Sequence, residues 1–225
     1  VDDRVSVRRA LILDLDGVVT DTAVAHAAAW RTLLQEAGIP FDDAAYERTR
    51  GLSRSDSLRE LLGAWPIDPV SFTTMLERKD AAYLAALGTL GPHDVLPGVT
   101  ELITRARAQG LLVAIGSSSR NTHRVLAQLG IADLFDAVAD GTSGAAKPAP
   151  DIFLAAARML GADPSACVVV EDASSGVDAA LAAGMRVIGV GPAERVGHAH
   201  RRVADTAALS IDTVVELLDE QGAAR

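Results

Sequence analysis

The strongest constraint on this chain is a recurring unit, a short apolar run that stops at polar or turn-forming residues and is followed by a segment of helical character. Ala10 to Leu15 is one such run, closing on acidic residues and then Gly17. Leu111 to Ile115 leads into Gly116, Ser117, Ser118 and Ser119. Cys167 to Val170 leads into Glu171 and Asp172, and Val187 to Val190 leads into Gly191 and Pro192. Runs this short and this continuously apolar read as strands buried on both faces, the mark of a parallel sheet. Between them, Gly98 to Gln109, Asn121 to Gly130, Asp151 to Leu160 and Gly176 to Ala183 read as helices. The alternation predicts an α/β fold with a doubly wound, Rossmann-like parallel-sheet core. In such sheets ligands bind beyond the carboxyl ends of the strands, and the polar clusters of this sequence fall there.

The alternation breaks between about Thr22 and Pro92. Ala23 to Ala37 reads as a helix, with Ala27, Trp30, Leu34 and Ala37 at helical spacing; further helical segments follow and no strand interrupts them. This predicts an all-helical cap domain, residues 22–91, inserted into a core built from residues 1–21 and 92–225. Thr20-Asp21-Thr22 and Gly91-Pro92 are the expected linkers, and a cap on two linkers can open and close. Near the C-terminus, Ile211, Val214, Val215, Leu217 and Leu218 mark an amphipathic helix that packs on the sheet.

Composition narrows the function. A net charge of −9 argues against nucleic acid or an anionic membrane as partner, since both require an extended basic face. No stretch reaches the apolar length needed to span a bilayer, and Val1 to Arg9 is charged rather than signal-like, so a soluble, cytoplasmic protein is expected. Cys167, the single cysteine, lies beside Val168-Val169-Val170 and reads as a buried, inert thiol. An anionic small substrate then requires a local cationic pocket. Of the 21 basic residues only Lys79 and Lys147 are lysine, which suggests that a compact point charge is wanted at those two positions; chance is the plain alternative.

The sharpest motif is Asp14-Leu15-Asp16-Gly17-Val18-Val19-Thr20-Asp21, two carboxylates one residue apart at the end of a buried strand. Strand alternation puts both side chains on one face. Carboxylates so close repel, so a divalent cation or a separation of roles is required, and hard oxygen ligands suit Mg²⁺. The bland reading is that the two acids only cap a loop.

The chain here resembles the haloacid dehalogenase superfamily over nearly its whole length. Four motifs in order carry the resemblance: Asp14-Leu15-Asp16-Gly17, then Ser117, then Lys147-Pro148, then Glu171-Asp172 with Gly176 four residues beyond Asp172. The resemblance implies an aspartyl-phosphate enzyme with a helical cap. Asp14 is the implied nucleophile and Asp16 the implied general acid and base. By resemblance Mg²⁺ is expected to be held by Asp14, Asp172 and the backbone carbonyl of Asp16, with Glu171 close by, and Ser117, the Ser118 backbone and Lys147 are expected to hold the phosphoryl oxygens. An exposed salt bridge is the bland reading of Lys147, opposed by Pro148 and Pro150, which stiffen its loop.

Within the superfamily, Asp14 to Asp21, His26, Trp30, Gly51-Leu52-Ser53-Arg54 with Ser57, and Lys147 to Phe153 are similar to the beta-phosphoglucomutase branch. That branch interconverts β-glucose 1-phosphate and glucose 6-phosphate through glucose 1,6-bisphosphate, so its site holds two phosphates. By resemblance the distal phosphate is gripped by Arg54 from the cap with Ser119, Arg120 and Asn121 from the core. Arg120 stands where lysine is usual and Leu13 where phenylalanine is common. His26 and Lys79 resemble positions that link the sugar to cap closure and to Asp16. The plain alternatives are a satisfied interface histidine for His26 and a solvated charge run, Arg78-Lys79-Asp80, for Lys79. Two other functions compete: a sugar-phosphate phosphatase of the same branch, in which water receives the phosphoryl, and a phospho-accepting receiver module, which the helical insertion opposes. A monomer acting on a small sugar phosphate is expected.

Overall fold

Ala10–Leu13 forms β1, four fully buried residues at the centre of a six-stranded sheet. The structure is a computed structural model and describes residues 7–223, so the first six residues of the charged Val1 to Arg9 run, and the last two of the core range, lie outside it. After β1 come four helices, α1 (Ala23–Glu36), α2 (Asp43–Arg48), α3 (Arg54–Leu62) and α4 (Pro69–Ala86). Three begin at side-chain caps: Asp42, Ser53 and Asp68 each accept a backbone N–H from the first turn, and Pro69 follows Asp68.

The chain then alternates. α5 (Val99–Ala108) precedes β2 (Leu112–Gly116), α6 (Thr122–Leu129) precedes β3 (Ala137–Ala139), and α7 (Asp151–Leu160) precedes β4 (Cys167–Glu171). α8 (Ser174–Ala182), β5 (Arg186–Val190), α9 (Ala193–Val196), β6 (Arg201–Val203) and α10 (Ile211–Ala223) complete it. All strand pairs are parallel, in the order β3-β2-β1-β4-β5-β6. The winding reverses at β1, which opens a crevice where β1 and β4 end. Leu13 is in register with Ile115 on one side and Val170 on the other, so Asp14, Gly116 and Glu171 reach the same edge together.

Period-two alternation divides each central strand between two cores. Leu11, Leu13, Val113, Ile115, Val168 and Val170 face α5, α6 and α10. Ala10, Ile12, Ala114, Cys167 and Val169 face α7 and α8, whose alanines let the helices approach closely. With both faces covered, the strands are continuously apolar, as the sequence pattern requires. The helical insertion has its own core of Trp30, Leu33, Leu34, Leu58, Leu61, Leu62 and Met75.

β1 is two residues shorter than the apolar run, because the Leu15 carbonyl takes the N–H groups of Val19 and Thr20 and the chain turns out of the sheet. β3 and β6 are three-residue edge strands without a continuous apolar run, and pattern alone does not find them. Among the described residues no helix is long and apolar enough to cross a membrane.

Candidate active site

Asp14 is the first residue past β1, and its N–H still donates to Val170 O at 3.0 Å, so the sheet sets its position. Leu15 then buries itself, and the tight turn returns Asp16 to the same cleft as Asp14. Gly17 is required there: its φ is +90°, and a Cβ would lie 2.4 Å from Asp172 Oδ2. Asp16 is partly buried and accepts a short hydrogen bond from Thr22 Oγ1. Desolvation, and then the charge of Asp14, push its pKa up to about 6 despite that bond.

Lys147 opens the loop that carries Pro148 and Pro150, just before a cis Lys147–Pro148 bond, with its ammonium wholly buried. It donates to Asp14 Oδ1 and, at 2.5 Å, to Glu171 Oε1, with its charge 4.7 Å from the centre of the Phe153 ring. Burial alone would pull its pKa down, but the two carboxylates outweigh that and hold it above the usual lysine range. Lys147 is therefore a buried charge paired with Asp14, and the exposed-salt-bridge reading is excluded.

Glu171 ends β4 and Asp172 comes next; burial pushes both carboxyls up, with Asp14 adding to each. Gly176 makes room for Glu171, since a Cβ there would fall 1.7 Å from its Oε1. Asp14, Glu171 and Asp172 each present an oxygen within 4.8 Å of the others, the one such cluster of possible metal ligands among the described residues. The donor set fits a hard divalent cation: three buried oxyanions converge on one point, opposed by the Lys147 ammonium and, more distantly, by Arg50 and Arg195. The Asp16 side chain lies outside this cluster.

The loop after β2 supplies hydroxyls. Ser117 is buried and its Oγ accepts from Ser119 N at 3.0 Å; Ser119 Oγ accepts from Asn121 N at 3.2 Å. Ser118 Oγ donates across the cleft to Gly51 O at 2.8 Å, and Ser175 Oγ donates to Arg50 O at 2.9 Å, which ties residues 50–51 of the helical insertion to the sheet edge. Gly51 has φ +74°, and a Cβ there would meet Ser175 Oγ at 2.5 Å. Arg120 is exposed on the rim.

From the helical side, His26 stacks on Tyr83 with ring centres 4.0 Å apart, and Lys79 Nζ lies 2.5 Å from His26 Nδ1. Lys79 belongs to the buried stripe Met75, Lys79, Tyr83 of α4 and is not part of a solvated charge run. Desolvation, then the Arg54 charge, lowers its pKa to about 7. Burial, with the charges of Lys79 and Arg54 nearby, holds His26 well below the normal histidine range, and its Nδ1 shares a hydrogen bond with Lys79 Nζ. Trp30 and Ser57 are buried and line the cleft wall with Gly51 and Arg54. His26, Trp30, Arg54, Ser57 and Lys79 from the helical side and Asp14, Asp16 and Ser117 to Asn121 from the core line a cleft of about 310 Å³, a volume that suits a small molecule, with Lys147 and Glu171 behind Asp14 and Tyr83 behind His26.

A family model for haloacid dehalogenase-like hydrolases matches residues 8–184. The chain belongs to that family. Among the relatives of this haloacid dehalogenase-like protein, the beta-phosphoglucomutase of Bacillus subtilis is 38% identical over 222 residues, 95% of each chain. The fructose-1-phosphate phosphatase of Escherichia coli is 36% identical over 185 residues, 80% of this chain and 95% of the other. The crystal structure of a beta-phosphoglucomutase from Clostridium difficile superposes with a TM-score of 0.91 at 35% identity, covering 97% of this chain and 100% of that one.

Four further residues at the site escape sequence reasoning. Thr22, read only as a linker, donates to Asp16. Tyr83 supports His26; Arg195 donates to the Asp172 carbonyl at 2.6 Å; and Asp80 joins Arg54 to Asn121. Only Thr22 carried a local signal, a hydroxyl six residues after Asp16.

Proposed function

We propose that this protein is a beta-phosphoglucomutase that moves a phosphoryl group through Asp14. The observation that supports this most directly is a cleft with two cationic stations: Lys147 on Asp14, and Arg54 from the helical insertion beside Asn121 of the core. A bisphosphate has two anionic ends to hold, whereas a hydrolase for a monophosphate requires one.

The chemistry divides into two displacements. An Asp14 carboxylate oxygen attacks phosphorus, the bond from phosphorus to the sugar oxygen breaks, and that oxygen takes the proton of the Asp16 carboxyl. With glucose 1,6-bisphosphate as the donor, a sugar monophosphate leaves; the 6-hydroxyl of β-glucose 1-phosphate, its own phosphate still in place, then gives its proton to Asp16 and attacks the aspartyl phosphate, which restores Asp14 and forms the bisphosphate again. With a pKa of about 6, Asp16 exchanges its proton readily near neutrality and serves in both directions. Ser117, the Ser118 backbone and Lys147 orient the phosphoryl oxygens. Arg54, Ser119, Arg120 and Asn121 hold the second phosphate, the fork of Arg54 suiting that anion. His26 and Lys79, with Trp30, Gly51 and Ser57, line the sugar side and exclude water when the cap is shut.

Mg²⁺ would be held by Asp14, Asp172 and the Asp16 carbonyl, with Glu171 adjacent, and would supply positive charge to the transferring phosphoryl. Glucose 1,6-bisphosphate is the intermediate and activator in this reading. The same reading divides the chain into a core of residues 1–21 and 92–225 and a cap of residues 22–91 acting as a monomeric cytoplasmic unit. The similarity to a fructose-1-phosphate phosphatase favours a second reading, in which water is the acceptor.

A coupled assay decides between them. β-Glucose 1-phosphate is supplied with Mg²⁺ and a trace of glucose 1,6-bisphosphate, and glucose 6-phosphate and free phosphate are followed together. Glucose 6-phosphate with little phosphate is expected. Phosphate release without isomer would replace the mutase by the phosphatase.

A further inference from the structure

Asp80 has no role in the reaction above, yet it joins the two sides of the cleft. Its Oδ1 lies 2.6 Å from Arg54 Nη2 and accepts from Asn121 Nδ2 at 2.9 Å. Arg54 opens α3 in the helical insertion, whereas Asn121 sits at the start of α6 on the core. Asn121 makes no side-chain capping bond to its own helix, so its amide is committed to Asp80 instead. Arg54 and Asn121 line the cleft with Asp80 directly behind their donors, and the Arg54 and Asp80 side chains keep 26% and 28% of their surface exposed.

From this arrangement we infer that Asp80 is a specificity-determining residue, an internal anion that occupies the donors of the second phosphate and must release them before that phosphate binds. The inference rests on the mutase reading of Arg54 and Asn121. Carboxylate and phosphate both accept from a guanidinium and an amide, so they compete for the same N–H groups. Two anions brought to one guanidinium also repel each other. The phosphate prevails because it carries more charge and three acceptor oxygens. Part of its binding energy is therefore spent on displacing Asp80, which holds down affinity for sugar phosphates. The same carboxylate also ties the helical insertion to the core and neutralises an Arg54 that would otherwise face Lys79 unscreened.

Asp80→Asn removes the charge and keeps an acceptor for both donors. The full-length protein is assayed for KM and kcat with β-glucose 1-phosphate and glucose 1,6-bisphosphate, beside Arg54→Ala and the double variant. A partly exposed charge pair predicts that KM falls about two- to fivefold in Asp80→Asn. kcat should not rise, and Asp80→Asn should lower KM less in the Arg54→Ala background, where only the Asn121 amide is left for Asp80 to hold. A purely structural salt bridge would raise KM when broken. Asp80→Ala is read the same way if the asparagine variant does not fold. If Arg54→Ala leaves the bisphosphate KM unchanged, the distal-phosphate reading fails and this inference with it. If Arg54→Ala raises that KM while Asp80→Asn leaves it unchanged or raises it, the inference alone is overturned.

Discussion

Lys147→Met tests the arrangement around Asp14 without relying on turnover. The Lys147 ammonium pairs with both Asp14 and Glu171, and the three side chains are 0%, 6% and 0% exposed respectively. Solvent cannot screen the pair left when the charge is removed: two buried carboxylates facing one another. Deleting one partner of a buried pair costs about 3–5 kcal/mol, and methionine fills nearly the same volume, so a cavity adds little. The loss depends on pH in a definite direction. Burial already raises Glu171 to about 7, and without Lys147 the acids rise further above their unfolded values. A carboxyl raised in the folded state binds more protons there than in the unfolded chain, so stability is kept below the unfolded pKa and lost as pH rises through the folded one. Urea unfolding of wild type and variant is measured at pH 7.5 and pH 5.5 in EDTA, by far-ultraviolet circular dichroism because both tryptophans lie in the helical insertion. The expected deficit is about 3–5 kcal/mol at pH 7.5 and distinctly smaller at pH 5.5. Mg²⁺ should reduce it at the higher pH, since a cation at Asp14, Glu171 and Asp172 replaces part of the missing charge. No deficit, or one equal at both pH values, would refute the idea that Lys147 neutralises buried acids.

Asp14→Asn is expected to abolish turnover with an unchanged circular dichroism spectrum, and a near-normal rate would remove covalent catalysis. Arg54→Ala should raise the KM for glucose 1,6-bisphosphate by about tenfold or more, the worth of hydrogen bonds to a charged group; equal loss of mutase and phosphatase rates would count against a distal role. Gly176→Ala should displace Glu171, whose Oε1 the new Cβ would overlap, and lower stability by about 1–3 kcal/mol, together with a weaker Mg²⁺-dependent rise in melting temperature. Lys79, depressed to about 7, binds fewer protons folded than unfolded above that pH, so it makes stability rise with pH. Lys79→Met should remove a rise on the order of 2 kcal/mol between pH 7 and 9, read from urea midpoints; an identical pH slope in the variant would show that Lys79 does not titrate there.

The parallel sheet, the helical insertion and the acids at the strand ends were all legible in the sequence, because each depends on residues close together in the chain. Continuous apolar runs can exist only where both faces of a strand are covered, and in a parallel sheet every such run delivers its next residues to the same edge. Asp14, Ser117, Glu171 and Asp172 are therefore placed together by pattern alone. The edge strands β3 and β6 were not legible, since three residues with partial burial carry no periodic signal. Nor were the contacts across the cleft. Whether Lys79 is solvated or buried depends on α4 packing against His26 and Tyr83, and Asp80 gains its partners only when α4 meets Arg54 and the start of α6. Local sequence determined which residues could do chemistry at the sheet edge. Tertiary structure decided their charge states and partners, because desolvation and Coulomb energy depend on distances between segments far apart in the chain.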